Sequence, residues 1–316
     1  MNAGSALAER SGASEAAANA ASAADGTATH AGWSQGRDLT GPFGLDRGAQ
    51  MRPPALVNVL ANLARARAVF AAAVLSVFAL AAAAEQRVTF PAGASEIVGR
   101  LSRPLGVGPF PAVVLLHSCL GPPKNWRATA DMVAGWGYVA LFVDDFANRG
   151  LKQSCAVDFP AGRPDAFGAL AFLATLPYVD PKRVAVVGYS QGADTALGIA
   201  VAPLAASGDL RFKAAAAFYP PCANQADAVL QAPTLILVGA ADEVTPAADC
   251  ERLAKAQPDG DANLSLVVYP KAAHGFDNPE FSGGKQVLGM WLQYDRVGAD
   301  RSRAALRDFL AKRLAR

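Results

Sequence analysis

The chain has 316 residues, of which 52% are hydrophobic and 18% charged, and its formal charge is +2. That apolar content is ample for a packed core. The near-neutral balance, with no Lys/Arg stripe interleaved with aromatics, excludes nucleic acid as a partner class.

Residues 1–50 are rich in Ala, Gly, Ser and Thr and show no apolar period. Such a segment buries too little surface to offset the entropy of ordering, so it reads as a disordered low-complexity extension. From Met51 the character changes. Arg52, Arg65 and Arg67 precede an apolar run from Ala68 to Ala84, broken only by Ser76 and ending in small residues. A basic start, an apolar centre and an A-x-A end identify 51–84 as an export signal, cleaved near Ala84. On this reading translation begins at Met51 and the first 50 residues are a gene-start artefact or a dispensable extension. A membrane anchor is the alternative, but the run falls short of the ~20 apolar residues that span comfortably. The expected mature chain, 85–316, is then periplasmic or secreted and meets a membrane only transiently, through its signal. The four cysteines, Cys119, Cys155, Cys222 and Cys250, agree with an oxidising compartment. They permit two disulfides in three connectivities, and no C-x-x-C spacing suggests a metal or thioredoxin-type site.

After residue 85 the pattern alternates. Arg87–Phe90 and Glu96–Leu101 read as an antiparallel edge pair. Ala112–Leu116 (AVVLL) is a strand leading into His117-Ser118-Cys119-Leu120-Gly121, and a helix follows from about Trp126 to Gly135. Tyr138–Val143 is the next strand, running into Asp144-Asp145-Phe146-Ala147-Asn148-Arg149-Gly150, then a loop and a helix over Asp165–Leu176. Further strands are expected at Val184–Val187, Lys213–Phe218, Pro233–Val238 and Leu264–Tyr269, with apolar residues at helical spacing over Leu306–Leu314. Strands alternating with helices, with no linker or internal repeat after residue 85, predict a single α/β domain. It would hold a mostly parallel central sheet with helices on both faces and no separate lid domain.

Within this alternation lies Gly188-Tyr189-Ser190-Gln191-Gly192, a G-x-S-x-G turn between the strand Val184–Val187 and an alanine-rich helix over Ala193–Ala202 that Pro203 would end. In a nucleophile elbow the serine sits in a strained backbone at such a turn, and the glycines are needed because a Cβ would collide with neighbouring backbone. In parallel sheets the ligand crevice lies beyond the carboxyl ends of the strands. Ser190, Asp242 and His274 each follow a strand end, in the chain order of an α/β-hydrolase triad. A serine hydroxyl needs an imidazole to take its proton, and the imidazole needs a carboxylate to fix its tautomer. Histidine is scarce: His30 lies in the extension and His117 at the end of an early strand, which leaves His274 as the base. Glu243 is the rival to Asp242. The oxyanion donors expected by position are the backbone N–H groups of Gln191, after the nucleophile, and Cys119, after the early strand. Ser118 and Leu120 are the neighbours of that second donor, and His117 reads as a structural residue closing the strand.

GYSQG, GAADEVTP and YPKAAHGF, together with LLHSCLG and DDFANRG, resemble the dienelactone hydrolase family of α/β-hydrolases from about Val88 to the C-terminus. The resemblance implies a hydrolase of small esters or lactones that works without cofactor or metal. It departs from the best-known members in carrying Ser190 where they have cysteine and Ser118 where they have glutamate. It is closer to the exported serine branch. The family's substrate-carboxylate arginine is matched, one residue out of register, by Arg149, which with Ser118 and Tyr189 is assigned to substrate contact. The same branch implies bridges Cys119–Cys155 and Cys222–Cys250. A prolyl-oligopeptidase-like peptidase and a non-catalytic binding protein with a hydrolase fold are the competing functions, and a membrane-anchored interaction protein rests only on Ala68–Ala84.

Overall fold

The computed structural model describes residues 85–156, 162–202, 209–258 and 263–315. The extension and the signal segment assigned to 1–84 lie outside the described residues, as does Pro203. Among the described residues no helix is long and apolar enough to cross a membrane.

The strands are β1 (Gln86–Ala92), β2 (Ser95–Ser102), β3 (Phe110–Leu116), β4 (Val139–Asp144), β5 (Val179–Tyr189), β6 (Ala214–Phe218), β7 (Thr234–Gly239) and β8 (Leu264–Tyr269). They form one sheet in the order β1-β2-β4-β3-β5-β6-β7-β8. The first hairpin, β1 with β2, is antiparallel, and β2 joins β4 antiparallel. From β4 onward every pairing is parallel, with Val114 in register with Leu141 on one side and Val186 on the other.

The inner segments of the central strands, such as Ala112–Leu116 and Val184–Val187, are apolar at every position because both faces of the sheet are covered. Successive side chains point to opposite faces, and the burial follows that alternation. Val114 of β3 and Val184 and Val186 of β5 join one core. It also takes in α2 (Gly162–Ala174), α3 (Gln191–Val201) and α4 (Ala247–Lys255). Val113, Leu115, Ala185 and Val187 join the other, with α1 (Trp126–Gly135) and α5 (Arg296–Arg313). In β6 four successive alanines, Ala214 to Ala217, are all buried. The side chains of Ala215 and Ala217 are small enough for α3 to lie close against the sheet with Ala193, Ala196 and Ala200.

Two differences from the sequence expectation have local causes. The helix after the elbow begins at Gln191, immediately after Ser190, and not at Ala193. The helix α4 carries only Cys250 and Leu253 as buried residues, too sparse a stripe to stand out in the sequence. A third feature, the short hairpin β9 (Lys285–Val287) with β10 (Met290–Leu292), turns through Leu288 and Gly289 at φ of 51° and 81°. A two-residue turn of this handedness favours Asn-Gly or Gly at both positions, so a leucine there hides it.

Both expected disulfides form. Cys119 is bonded to Cys155 and Cys222 to Cys250, with Cα separations of 4.8 and 5.0 Å. The first ties the loop after β3 to the loop after β4. The second ties the turn after β6 to helix α4. For a separation of 28 residues, loop-closure entropy gives a stabilisation of roughly 3 to 4 kcal/mol. The double variant Cys222→Ser/Cys250→Ser is therefore expected to lose about that much unfolding free energy in urea titration; an unchanged midpoint would show that the cross-link adds nothing.

Candidate active site

The site is built at the carboxyl ends of β3, β5, β6, β7 and β8. Strand β5 ends at Tyr189 and helix α3 starts at Gln191, so Ser190 alone makes the turn. Its backbone has φ 53° and ψ −112°, a region that costs a non-glycine residue of order 1–3 kcal/mol. The turn is held by Ser190 N–H donating to the Phe218 carbonyl of β6 (3.0 Å) and by the Asp194 N–H donating to the Ser190 carbonyl (3.0 Å). The two glycines are required by contact. A Cβ on Gly188 would stand 1.9 Å from the Gly192 carbonyl oxygen, and one on Gly192 would stand 2.5 Å from the Leu116 carbonyl oxygen at the end of β3. Gly192 thus lets the elbow press against the end of β3, which leads into the loop of Ser118 and Cys119.

The three expected polar residues meet here. Ser190 Oγ lies 3.0 Å from His274 Nε2. His274 Nδ1 lies 2.8 Å from Asp242 Oδ2. Both His274 and Asp242 are buried, at 4% and 5% exposure, which strengthens their attraction relative to an exposed pair. Asp242 is oriented by its own loop: its Oδ1 accepts from the Val244 and Thr245 N–H groups at 2.9 and 2.8 Å. The Thr245 hydroxyl stands 2.9 Å from Asp242 Oδ2 and 3.1 Å from the Tyr219 carbonyl oxygen. Glu243, the rival acid, is exposed. The strand ends that carry Asp242 and His274 are brought together at Gly239, where a Cβ would come within 1.9 Å of the Ala272 carbonyl oxygen.

A cavity opens over Ser190 and His274. Its walls include Ser118, Cys119, Tyr189, Tyr219, Asp277 and Met290. Of the expected oxyanion donors, Cys119 is on this wall, and Gln191 opens α3, where a helix leaves its first N–H groups without intrahelical acceptors. Ser118 and Tyr189 also line the cavity. The Ser118 hydroxyl accepts from the Leu120 N–H (3.3 Å). Tyr189 stacks on Phe218 at 4.8 Å between ring centroids, and burial pushes its phenol pKa far up.

Arg149 has a different place. Its guanidinium makes a two-pronged pair with Asp165 at 2.6 and 2.9 Å, and also donates to the Asp145 carbonyl at 2.7 Å. It does not line the cavity. The expectation that Arg149 holds a substrate carboxylate is therefore corrected: planar bidentate geometry suits Asp165, whose side chain is completely buried, and the arginine anchors the loop after β4 to helix α2.

Three further residues were not legible as part of the site. Tyr219 has a positive φ of 44°. Its ring meets the His274 ring edge-on at 4.6 Å, and its hydroxyl donates to Asp277 Oδ1 at 2.8 Å. Ser154, 1% exposed, donates its N–H to the Cys119 carbonyl (2.8 Å) and its hydroxyl to Gln191 Oε1 (2.7 Å). It thereby links the loops that carry both expected oxyanion donors. The hairpin β9–β10 backs His274 through the Gln293 N–H, which donates to the His274 carbonyl at 3.1 Å. None of the three belongs to a motif; only the spatial arrangement reveals them. Among the described residues no group of His, Cys, Asp or Glu is arranged to hold a metal ion.

A family model described as the dienelactone hydrolase family matches residues 97–314. A Synechocystis sp. protein provisionally named a carboxymethylenebutenolidase is 26% identical over 219 residues, covering 60% of this chain and 85% of the relative. A similarly named protein of Methylorubrum extorquens is also 26% identical over 219 residues, covering 59% of this chain and 73% of its own. Among solved structures, a dienelactone hydrolase-like promiscuous phosphotriesterase from metagenomic libraries superposes with a TM-score of 0.60. It is 21% identical and covers 73% of this chain and 99% of its own, a likeness of fold.

His117 gives the neighbourhood a pH signature. Burial opposes its charge, but the Asp145 carboxylate 2.7 Å from Nε2, the Ser118 carbonyl and Asp144 outweigh burial and raise its pKa above the ordinary 6.5. The other charged groups nearby are Asp165 and its partner Arg149. A folded-state pKa above the unfolded value means that the folded protein binds the extra proton. The resulting stability is full below about pH 6.5 and is lost as pH rises through the raised value. Unfolding free energies of the wild type and Asp145→Asn, measured across pH 5.5–9 in urea, are expected to differ most at the acid end and to converge at the alkaline end. A constant difference would contradict the linkage.

Proposed function

The chain belongs to the dienelactone hydrolase family of hydrolases, and on that premise we propose that it cleaves small carboxylic esters or lactones through an acyl-enzyme on Ser190. The observation that carries this reading is the continuous relay from Asp242 through His274 to a serine held in a strained elbow, with contacts of 2.8 and 3.0 Å. In the proposed first step Ser190 Oγ attacks the substrate carbonyl carbon while its proton passes to His274 Nε2. Asp242 holds the Nδ1–H tautomer and stabilises the imidazolium. The negative charge that develops on the carbonyl oxygen is met by the N–H groups of Gln191 and Cys119. Collapse expels the alcohol, which takes the proton from His274, and leaves the acyl group on Ser190. Water then repeats the cycle, giving up a proton to His274 and releasing the acid.

Arg149 is engaged by Asp165 and lies off the cavity wall, so it offers no contact to a substrate carboxylate. The titratable groups on the wall are of both signs, Asp277 and Glu280 with Lys124 and His117. The two disulfides, which persist in oxidising compartments, support the companion reading that the chain is exported, with its signal in 51–84.

Two outcomes are expected. Ser190→Ala should abolish hydrolysis of a short-chain nitrophenyl ester, a loss of about 10³-fold or more, together with covalent labelling by a fluorophosphonate; labelling that persists in the variant would refute Ser190 as nucleophile. Mass spectrometry of protein recovered from the producing cell should find a mature N-terminus near Glu85, and a chain that begins at Met1 would refute export by this segment.

A further inference from the structure

His117 is 5% exposed and takes no part in the relay of Ser190, His274 and Asp242. Its ring contacts define its state. Nδ1 lies 2.7 Å from the Ser118 carbonyl oxygen, which can only accept, so Nδ1 carries a hydrogen. Nε2 lies 2.7 Å from Asp145 Oδ1, and this carboxylate favours the protonated ring. The ring is also fixed by packing, edge-on to Phe146 at 4.5 Å and stacked near Phe142 at 6.2 Å.

The acceptor matters because of what shares its plane. The Ser118 carbonyl and the Cys119 N–H belong to one trans peptide group, so they point in opposite directions. A donor that holds the carbonyl in place also fixes where the N–H is aimed. The Gly121 N–H is a second donor to the same carbonyl oxygen, at 3.0 Å. On the far side of the residue, the Cys119 carbonyl accepts from Ser154 N–H and the side chain is cross-linked to Cys155. Cys119 is thus held on three sides, and its N–H is directed away from the imidazole. A donor that Asp145 draws toward its charged form also pulls electron density through the peptide, which makes the N–H a stronger donor.

We propose that His117, held by Asp145, is a positioning residue that aims and polarises the Cys119 N–H as an oxyanion donor through the Ser118–Cys119 peptide group. This rests on the ester-hydrolase reading above, in which Cys119 supplies one of two donors. The interaction tightens as charge develops on the substrate oxygen, so its loss lowers kcat and leaves KM nearly unchanged.

Two substitutions separate the roles of the ring. In His117→Asn the side-chain amide can occupy the place of Nδ1 and still donate to Ser118. In His117→Gln it reaches toward Asp145 in the place of Nε2 and leaves the Ser118 carbonyl without that donor. Losing an oxyanion donor outright costs about 10²–10³ in kcat. His117→Gln, which weakens one without removing it, is expected to lower kcat roughly tenfold or more at unchanged KM, and His117→Asn is expected to recover most of that loss. The Cys119 amide proton in a 15N-correlated NMR spectrum provides a readout that needs no turnover. It should move upfield in His117→Gln and stay nearer the wild-type position in His117→Asn. Activity of both variants within twofold of wild type would overturn the proposal, and so would equal losses in both, which would indicate packing alone. If His117→Gln fails to fold, Asp145→Asn, which keeps the ring, is expected to show the same loss of kcat and the same upfield shift; a wild-type rate and spectrum there would be equally fatal. Ser190→Ala is measured alongside. Turnover by that variant would defeat the acyl-enzyme reading at Ser190, while the Cys119 amide would still test the role of His117.

Discussion

The backbone of Ser190 sits where an L-residue does not rest by preference, and much of the sheet serves to hold it there. Its N–H is bound to the end of β6, its carbonyl to the first turn of α3, and Gly188 and Gly192 admit the approach of backbone that the turn demands. The stored cost, of order 1–3 kcal/mol, is small beside the burial of two complete cores on either face of the sheet. What the strain provides is exposure. A serine at the tip of a one-residue turn presents its hydroxyl to the crevice while both flanking elements remain fully packed. The same logic recurs at Gly239 and Ala272, where two strand ends press together and bring Asp242 to His274.

Preorganisation in this site is layered. Asp242 is fixed by two N–H groups of its own turn, His274 by Asp242 and by its edge contact with Tyr219, and Ser190 by the elbow. The loop after β3 is fixed by a disulfide, by Ser154 and by His117. Each of these polar groups is therefore held in place by neighbours outside the relay. That is the arrangement electrostatic catalysis requires, since donors already in place need no reorganisation when charge develops.

Much of this architecture could be read from the sequence, for a physical reason. Strands buried on both faces, such as AVVLL and PTLILV, are continuous apolar runs, and a buried parallel sheet permits little else. The elbow was legible because its glycines are imposed by contacts that allow no Cβ. Ser190, Asp242 and His274 were legible because the fold delivers strand ends to one edge, so their order in the chain became a statement about space. The rest was hidden where the controlling interaction leaves no periodic mark. Ser154 acts through two hydrogen bonds, and Tyr219 through its hydroxyl bond to Asp277 and a ring contact with His274. The β9–β10 turn runs through a leucine at positive φ, against its own propensity. Arg149 was assigned to substrate contact through the family resemblance, one residue out of register, whereas its geometry belongs to a buried carboxylate that no sequence pattern announces.

The hairpin β9–β10 does two things at once. Met290 and Leu292 line the wall over Ser190, and the strand that carries them is tied to the backbone of His274 through a bridge at Leu292 and the Gln293 N–H. The cavity wall and the backbone of His274 are therefore mechanically joined. Loop grafting or random diversification of this hairpin, the natural way to reshape the cavity, would also shift the platform under His274. Laboratory evolution of this scaffold should then find its gentlest path in the side chains at 290 and 292, with the hairpin backbone and its length kept intact.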